Sequence, residues 1–272
     1  MRRIAFRVAA ADKEALLDAL LPLLPGGVSE RPDGDEVELA AVGAALPHRP
    51  ALEAAAGAPL AGWEDTHVSA DWRERRARFG GGGFVVAGRI LLRSPDDPPA
   101  TDPHVLDLVL ERGGGGFGSG SHTTTRMCLE LLLGVEPDGS AVDLGCGLGT
   151  LAIAAARLGW GPVSGTDRMA EAVQVARANG ERNGAAVEWS VTDLEADPVP
   201  TAALLLVNAP PPVLARAAVA LGTETRHVIA SGVVGGELAD VVHGYEAAGL
   251  RPRAQREEDG WAAVRLERVA GA

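Results

Sequence analysis

The hydrophobic rhythm of this 272-residue chain changes about a third of the way along. The first 60 or so residues run strand, helix, hairpin, helix. "RIAFRVAA" reads as a strand, and "DKEALLDALLPLL", begun by Asp12, spaces its leucines as a helix does. "VSERPDGDEVELAAV" reads as a hairpin turning at Pro32-Asp33-Gly34, and "RPALEAAAG" as a second helix. That order predicts a small α+β domain of ferredoxin-like type over residues 1–62. "GFVVAGRILLRS" supplies one strand or two, and "PDDPPATDP" is a linker by its prolines and acids, so residues 63–100 form a connecting segment.

Over residues 101–272 strands and helices alternate. "GSAVDLGCG" is a buried strand running into glycine, "TLAIAAARLG" a helix closed by Gly159, "GPVSGTD" a strand and "MAEAVQVARANGERNG" a helix. "AVEWSVTD" and "ALLLVNAP" add two strands, "PVLARAAVAL" a helix, "HVIASGVV" a strand and "GELADVVHGYEAAG" a helix. Alternation of this kind predicts an α/β fold, a doubly wound parallel sheet whose ligands bind at the carboxyl ends of its strands.

Composition narrows the choice of partner. No apolar run is long enough to span a bilayer, and Asp12 and Glu14 interrupt the start in a way that spoils a signal or transit peptide, so a cytoplasmic location is expected and no membrane contact. A net charge of −12 argues against direct nucleic-acid binding and suits a basic protein partner. Cys128 and Cys146 are the only cysteines, without metal-ligand spacing to the six histidines, so no metal site is expected.

The chemistry gathers at the strand ends. Asp143-Leu144-Gly145-Cys146-Gly147-Leu148-Gly149 turns from the first strand of this region into its first helix. Its glycines let a ligand approach the backbone closely. A dinucleotide site would require G-x-G-x-x-G, whereas here the third glycine comes one residue early and Thr150 stands in its place. The D-x-G-x-G-x-G spacing is that of S-adenosylmethionine-dependent methyltransferases, in which Asp143 is a candidate to hold the cofactor's amino group, with Gly145 and Gly147 against the ligand. Asp167 ends the second strand 22 residues after Gly145, near the offset at which such folds put an acid on the ribose; helix capping is its alternative. Asp193 ends the third strand, facing the adenine amino group or serving a turn. Asn208, held between four apolar residues and "APPP", presents an amide whose carbonyl oxygen is suited to align an incoming amine, or else ends a strand.

With these pieces in place, residues 104–265 resemble the PrmA family, methyltransferases that modify protein eleven of the large ribosomal subunit (L11). The family carries A-F-G-T-G-T-H-x-T-T just before its first Rossmann strand, and "GFGSGSHTTT" at 116–125 matches that spacing. "AVDLGCGLGTLAIAAARLG", "GTD", "RANGERNG" and "IASGVV" follow in the family's order, and "DWRERRARFGGGGFVVAGRILLRSPDD" is similar to its W-K-x-x-F connecting segment.

The resemblance implies a Rossmann-like, seven-stranded class I methyltransferase domain that binds S-adenosyl-L-methionine through Thr125, Gly145, Asp167 and Asn208. It implies that Phe117 to Thr125 fold over the cofactor, that the small domain recognises the protein substrate, and that lysine and N-terminal amines are methylated. The sequence departs from the family where Ser119 and Ser121 replace threonines, where "LERGGGG" replaces L-D-P-G, and where "VNAPPP" replaces A-N-I-L. The last departure keeps open a methyltransferase for another protein or a small molecule, and a non-catalytic S-adenosylmethionine-binding relic. His122 has no assigned role.

Overall fold

A computed structural model describes residues 2–24, 28–43, 46–67, 83–111 and 122–269. The chain divides into two compact units, Met1–Gly81 and Gly82–Ala272.

In the first unit β1 (Arg2–Ala9), α1 (Lys13–Leu20), β2 (Ser29–Asp33), β3 (Glu36–Gly43), α2 (Arg49–Ala56) and β4 (Ala61–His67) follow one another. The sheet order is β2-β3-β1-β4, all pairs antiparallel. This is the ferredoxin-like arrangement, with Ile4, Phe6, Leu39, Leu20 and Leu52 in its core. The β2–β3 turn falls one position later than the sequence reading placed it, because Gly34 takes the left-handed backbone (φ +66°) between Asp33 and Asp35. Residues 63–100 are shared between the units: most of β4 closes the first sheet, while β5 (Phe84–Val86) and β6 (Ile90–Arg93) join β7 (Leu106–Val109) in a small sheet of the second. Residues 68–82 lie outside the described residues.

The second unit is built on a seven-stranded sheet of order β10-β9-β8-β11-β12-β14-β13. Its strands are β8 (Ala141–Leu144), β9 (Val163–Asp167), β10 (Val187–Val191), β11 (Leu204–Asn208), β12 (His227–Val234), β13 (Leu250–Glu258) and β14 (Trp261–Arg268). The first five are parallel, and the last two form an antiparallel hairpin at one edge. Helices α3 (Thr123–Leu132), α4 (Thr150–Leu158), α5 (Ala170–Arg182), α6 (Pro211–Val219) and α7 (Leu238–Ala247) connect them.

Two apolar layers clasp this sheet. Met127, Leu131, Leu151 and Ile153 of α3 and α4 meet Leu204, Leu206 and Ile229 on one face. Leu214, Ala217 and Tyr245 of α6 and α7 meet Leu205, Val207 and Val228 on the other. Successive residues of β11 therefore feed opposite cores, as a strand buried on both faces requires. The chain starts at β8, runs outward through β9 and β10, then crosses to β11 on β8's other side. The strand order thus reverses between β8 and β11, where an open α/β sheet leaves a crevice at its carboxyl edge.

Two elements depart from the sequence reading. Thr123–Leu132, to which the sequence reading assigned no element, is a helix: the His122 side chain caps it, accepting from Thr124 N, and it buries Met127, Cys128, Leu129, Leu131 and Leu132. The C-terminal hairpin, absent from the residue pattern as read, supplies the sixth and seventh strands.

Candidate active site

The glycine stretch after β8 hangs on the end of β9. Gly145 N and Cys146 N both donate to Thr166 O at 2.9 Å, and Gly147 N donates to Asp167 Oδ2 at 3.0 Å. Gly149 then starts α4 with φ +82°, where a Cβ atom would lie 2.6 Å from Trp189 Cη2. Both the backbone and the space exclude a side chain there. Asp167 Oδ1 also accepts from Met169 N at 3.0 Å, so this acid ties the glycine turn to the start of α5.

A pocket opens at the reversal point, lined by Thr125, Asp143, Gly145, Cys146, Thr150, Leu151 and Asn208. Four of the residues singled out from the sequence therefore converge, drawn from α3, β8, the glycine turn and β11. Asp143 is 2% exposed, and its Oδ2 accepts from Ala152 N at 3.1 Å. Burial pushes its carboxyl up to about 7, with the charge of Asp167 adding to the rise and the Ala152 N–H working against it. The Cys146 thiol is pushed far above its ordinary range by burial first and then by Asp143, and Cys128 likewise, which favours the protonated form of both.

Thr125, 1% exposed in the first turn of α3, has no hydrogen-bond partner for its Oγ1. A buried hydroxyl left unpaired costs free energy, which a ligand's polar group in this pocket would recover. Phe117, with residues 113–121 of the glycine-rich stretch, lies outside the described residues.

Asn208 ends β11 with its Nδ2 donating to Thr124 Oγ1 at 3.2 Å. The next residue is pinned in turn: Ala209 N donates to Ser231 O at 3.1 Å. Across from it Gly232 bulges out of β12 with φ +96°, where a Cβ would meet Ala209 O at 2.4 Å. Then Pro210, Pro211 and Pro212 begin α6, with Val213 N and Leu214 N both donating to Pro210 O.

Asp193 sits elsewhere. It is exposed in the turn after β10, with Oδ1 accepting from Glu195 N at 3.0 Å, and is not among the residues lining the pocket.

Sequence reasoning missed two parts of this neighbourhood. Thr124 and His122 connect to Asn208, and nothing in the local pattern links residues 84 positions apart. Asn179 and Asn183, inside "RANGERNG" at the end of α5, face inward and grip the main chain of β7 and the residues after it. Their spacing of four on a helix was the available signal.

Among the described residues no group of histidine, cysteine or acidic side chains is arranged to hold a metal, and no helix is long and apolar enough to cross a membrane.

Residues 88–269 match the family described as ribosomal protein L11 methyltransferase (PrmA). The ribosomal protein L11 methyltransferase of Burkholderia lata is 35% identical over 223 residues, covering 71% of this chain and 73% of that protein. That of Hydrogenovibrio crunogenus is 34% identical over 162 residues, 59% of this chain and 55% of that one. That of Dechloromonas aromatica is 55% identical over 84 residues, 30% of this chain and 28% of that one. Against the last two the chain spans about half of the relative's length or less. Among solved structures, a ribosomal protein L11 methylase from Lactobacillus delbrueckii subsp. bulgaricus superposes with a TM-score of 0.59 at 22% identity, covering 68% of this chain and 96% of that one, which shows the shared fold. With a match running through well over half of its length, from β6 to the end of the C-terminal hairpin, the chain belongs to the ribosomal protein L11 methyltransferase (PrmA) family.

Proposed function

We propose that this protein transfers methyl groups from S-adenosyl-L-methionine to amine nitrogens of a protein substrate, namely lysine side chains and the N-terminus of ribosomal protein L11. One observation carries the reading: the pocket at the β8–β11 reversal joins a buried carboxyl, an unpaired buried hydroxyl and a strand-end carboxamide, with no cationic side chain among the described residues that line it. A buried carboxyl suits a cationic amino group and opposes the pyrophosphate of a dinucleotide.

The residues fit the cofactor as follows. Asp143 would hold its amino group, and the positive charge would draw the carboxyl back toward its ionised form. Thr125 Oγ1 would gain the partner it lacks. Asp167 uses one acceptor position on each oxygen for Gly147 and Met169, and each oxygen keeps another for ribose hydroxyls. When bound, the cofactor supplies an electrophilic methyl group on a sulfonium, already a good leaving group. What remains for the protein is alignment and exclusion of water. Asn208 accepts a hydrogen bond from the acceptor amine and points its lone pair along the line of transfer. That amine reacts only when neutral, so a lysine, ordinarily near pKa ~10.4, must lose its proton to solvent or by desolvation before attack.

The first unit, Met1–Gly81, would recognise the substrate, and a ribosomal substrate suits a cytoplasmic location and the chain's net charge of −12. Incubation with labelled methyl donor and purified L11 tests the reading. Label should enter L11. Label found only in another component of a cell extract would move the assignment to that acceptor, and tight cofactor binding with no label anywhere would leave a binding protein.

A further inference from the structure

Beside Asn208 lies a chain of hydrogen bonds with a fixed direction. Its Nδ2 is 3.2 Å from Thr124 Oγ1, and Thr124 Oγ1 is 2.7 Å from His122 Nδ1. The Thr124 backbone N–H also points at His122 Nδ1, at 3.4 Å. A backbone amide can only donate, so this contact selects the tautomer in which Nδ1 is the acceptor and the ring proton sits on Nε2. Nδ1 has one lone pair, which the Thr124 hydroxyl hydrogen takes at 2.7 Å and the longer amide contact only shares, leaving Oγ1 its own lone pairs to offer Asn208. Those lone pairs require an N–H, so the amide must turn Nδ2 toward Thr124 and leave Oδ1 for the pocket. The ring itself is held edge-on by Trp261, with centroids 4.9 Å apart and planes at 70°. His122 is 9% exposed and Thr124 2%, so water competes little with these bonds.

We propose that Thr124 and His122 are positioning residues that fix which end of the Asn208 carboxamide faces the methyl acceptor. The proposal rests on the reading of Asn208 as the residue that orients the amine. An amide is nearly symmetric in shape, and its two orientations differ only in which hydrogen bonds they satisfy. Flipped, Asn208 would set its oxygen against the Thr124 oxygen and present N–H groups to an amine that itself needs an acceptor. The backbone amide at the start of α3 selects the productive orientation through two side chains.

Thr124→Val tests this directly. It keeps shape and volume, leaves the His122 cap on the Thr124 backbone N–H in place, and removes only the hydroxyl. The expected result is a fall in kcat of about tenfold, the scale of one lost hydrogen bond. KM for the acceptor should change little and the calorimetric Kd for S-adenosylmethionine less than twofold. Thr124→Ser, which restores the hydroxyl, should recover most of the loss. Independently of turnover, the ¹H–¹⁵N side-chain amide signals of Asn208, assigned by their loss in Asn208→Ala, should move in Thr124→Val and return in Thr124→Ser. Should Thr124→Val fold poorly, His122→Asn against His122→Ala makes the same comparison, because asparagine can place Oδ1 where Nδ1 lies.

Wild-type kcat in Thr124→Val, a serine variant no better than the valine one, or unmoved Asn208 amide signals would each overturn the proposal. If the protein methylates nothing, or Asn208→Ala turns over normally, the functional reading fails, while the amide signals still report on the orientation.

Discussion

The side-chain amide of Asn183 pairs with the main chain of Val109 as a neighbouring strand would: Oδ1 accepts from Val109 N and Nδ2 donates to Val109 O, both at 2.8 Å. One helical turn earlier Asn179 repeats the pairing on Glu111, at 2.9 and 3.3 Å, and its Nδ2 also reaches Leu148 O in the glycine stretch at 3.1 Å. Two carboxamides, one in the last turn of α5 and one on the residue that ends it, thus bind β7 and the residues just after it, and Asn179 links them to the turn beside the pocket.

Asn179→Asp keeps the shape but turns the donor into a negative oxygen facing the Leu148 and Glu111 carbonyls. With this side chain 0% exposed, the change should destabilise the protein by about 2 to 3 kcal/mol, read as a shift in the urea midpoint at constant m-value. Asn183→Asp should behave alike, and an unshifted midpoint in both would mean that the clasp adds nothing to stability.

Asp143 makes stability depend on pH in an uncommon direction. Its folded value of about 7 lies above the ~3.9 of an unfolded aspartate. A raised acid contributes fully below the unfolded value, and the contribution is lost as pH rises through the folded one. Cofactor-free protein should therefore show a falling Asp143 contribution to Tm between about pH 4 and about pH 7, seen as the difference from Asp143→Asn, in which that slope is missing. A cationic ligand favours the ionised carboxylate, so S-adenosylmethionine binding near pH 6 should release protons, detectable by calorimetry in buffers of differing ionisation heat.

Asp167→Ala removes both the acceptor for Gly147 N and the oxygens available to a ribose. Cofactor affinity should fall by about 1 to 3 kcal/mol in calorimetry. An unchanged Kd would restrict Asp167 to holding the turn.

Gly149→Ala combines a strained backbone with a collision against Trp189, and should cost more than about 2 kcal/mol. In a double-mutant cycle Trp189→Phe should recover part of that loss, because the φ of +82° stays unfavourable even when the ring is smaller. Strict additivity of the two changes would show that the ring is not the obstacle.

Much of the frame was legible in the residues. Period and punctuation located β8 to β12 and the helices between them: β11 reads as an unbroken apolar run, as a strand buried on both faces does, and the others are marked by the glycines and acids that end them. Helix α3 was not legible: a run of threonines has low helix propensity, and the helix is held by a histidine cap and by its burial against two sheets. The last hairpin was missed although Asp259-Gly260, with φ of +53° and +79°, is a hairpin turn signal. Arginines and glutamates on its outer face hid the alternation. At the site, the sequence located Asp143, Gly145, Thr125 and Asn208, each at a strand end or helix start. The bonds joining Asn208 to Thr124 and His122 cross between elements far apart in the chain, so only the fold reveals them.

The three prolines that begin α6 have an electrostatic consequence. A helix start ordinarily offers free N–H groups that attract anions. From Ala209 to Leu214 none is free: Ala209 N is bonded to Ser231 O, residues 210 to 212 carry no N–H, and Val213 and Leu214 both donate to Pro210 O. The backbone next to Asn208 has thus lost the donors that would favour a phosphate or carboxylate, and this side of the site offers an anion no main-chain N–H.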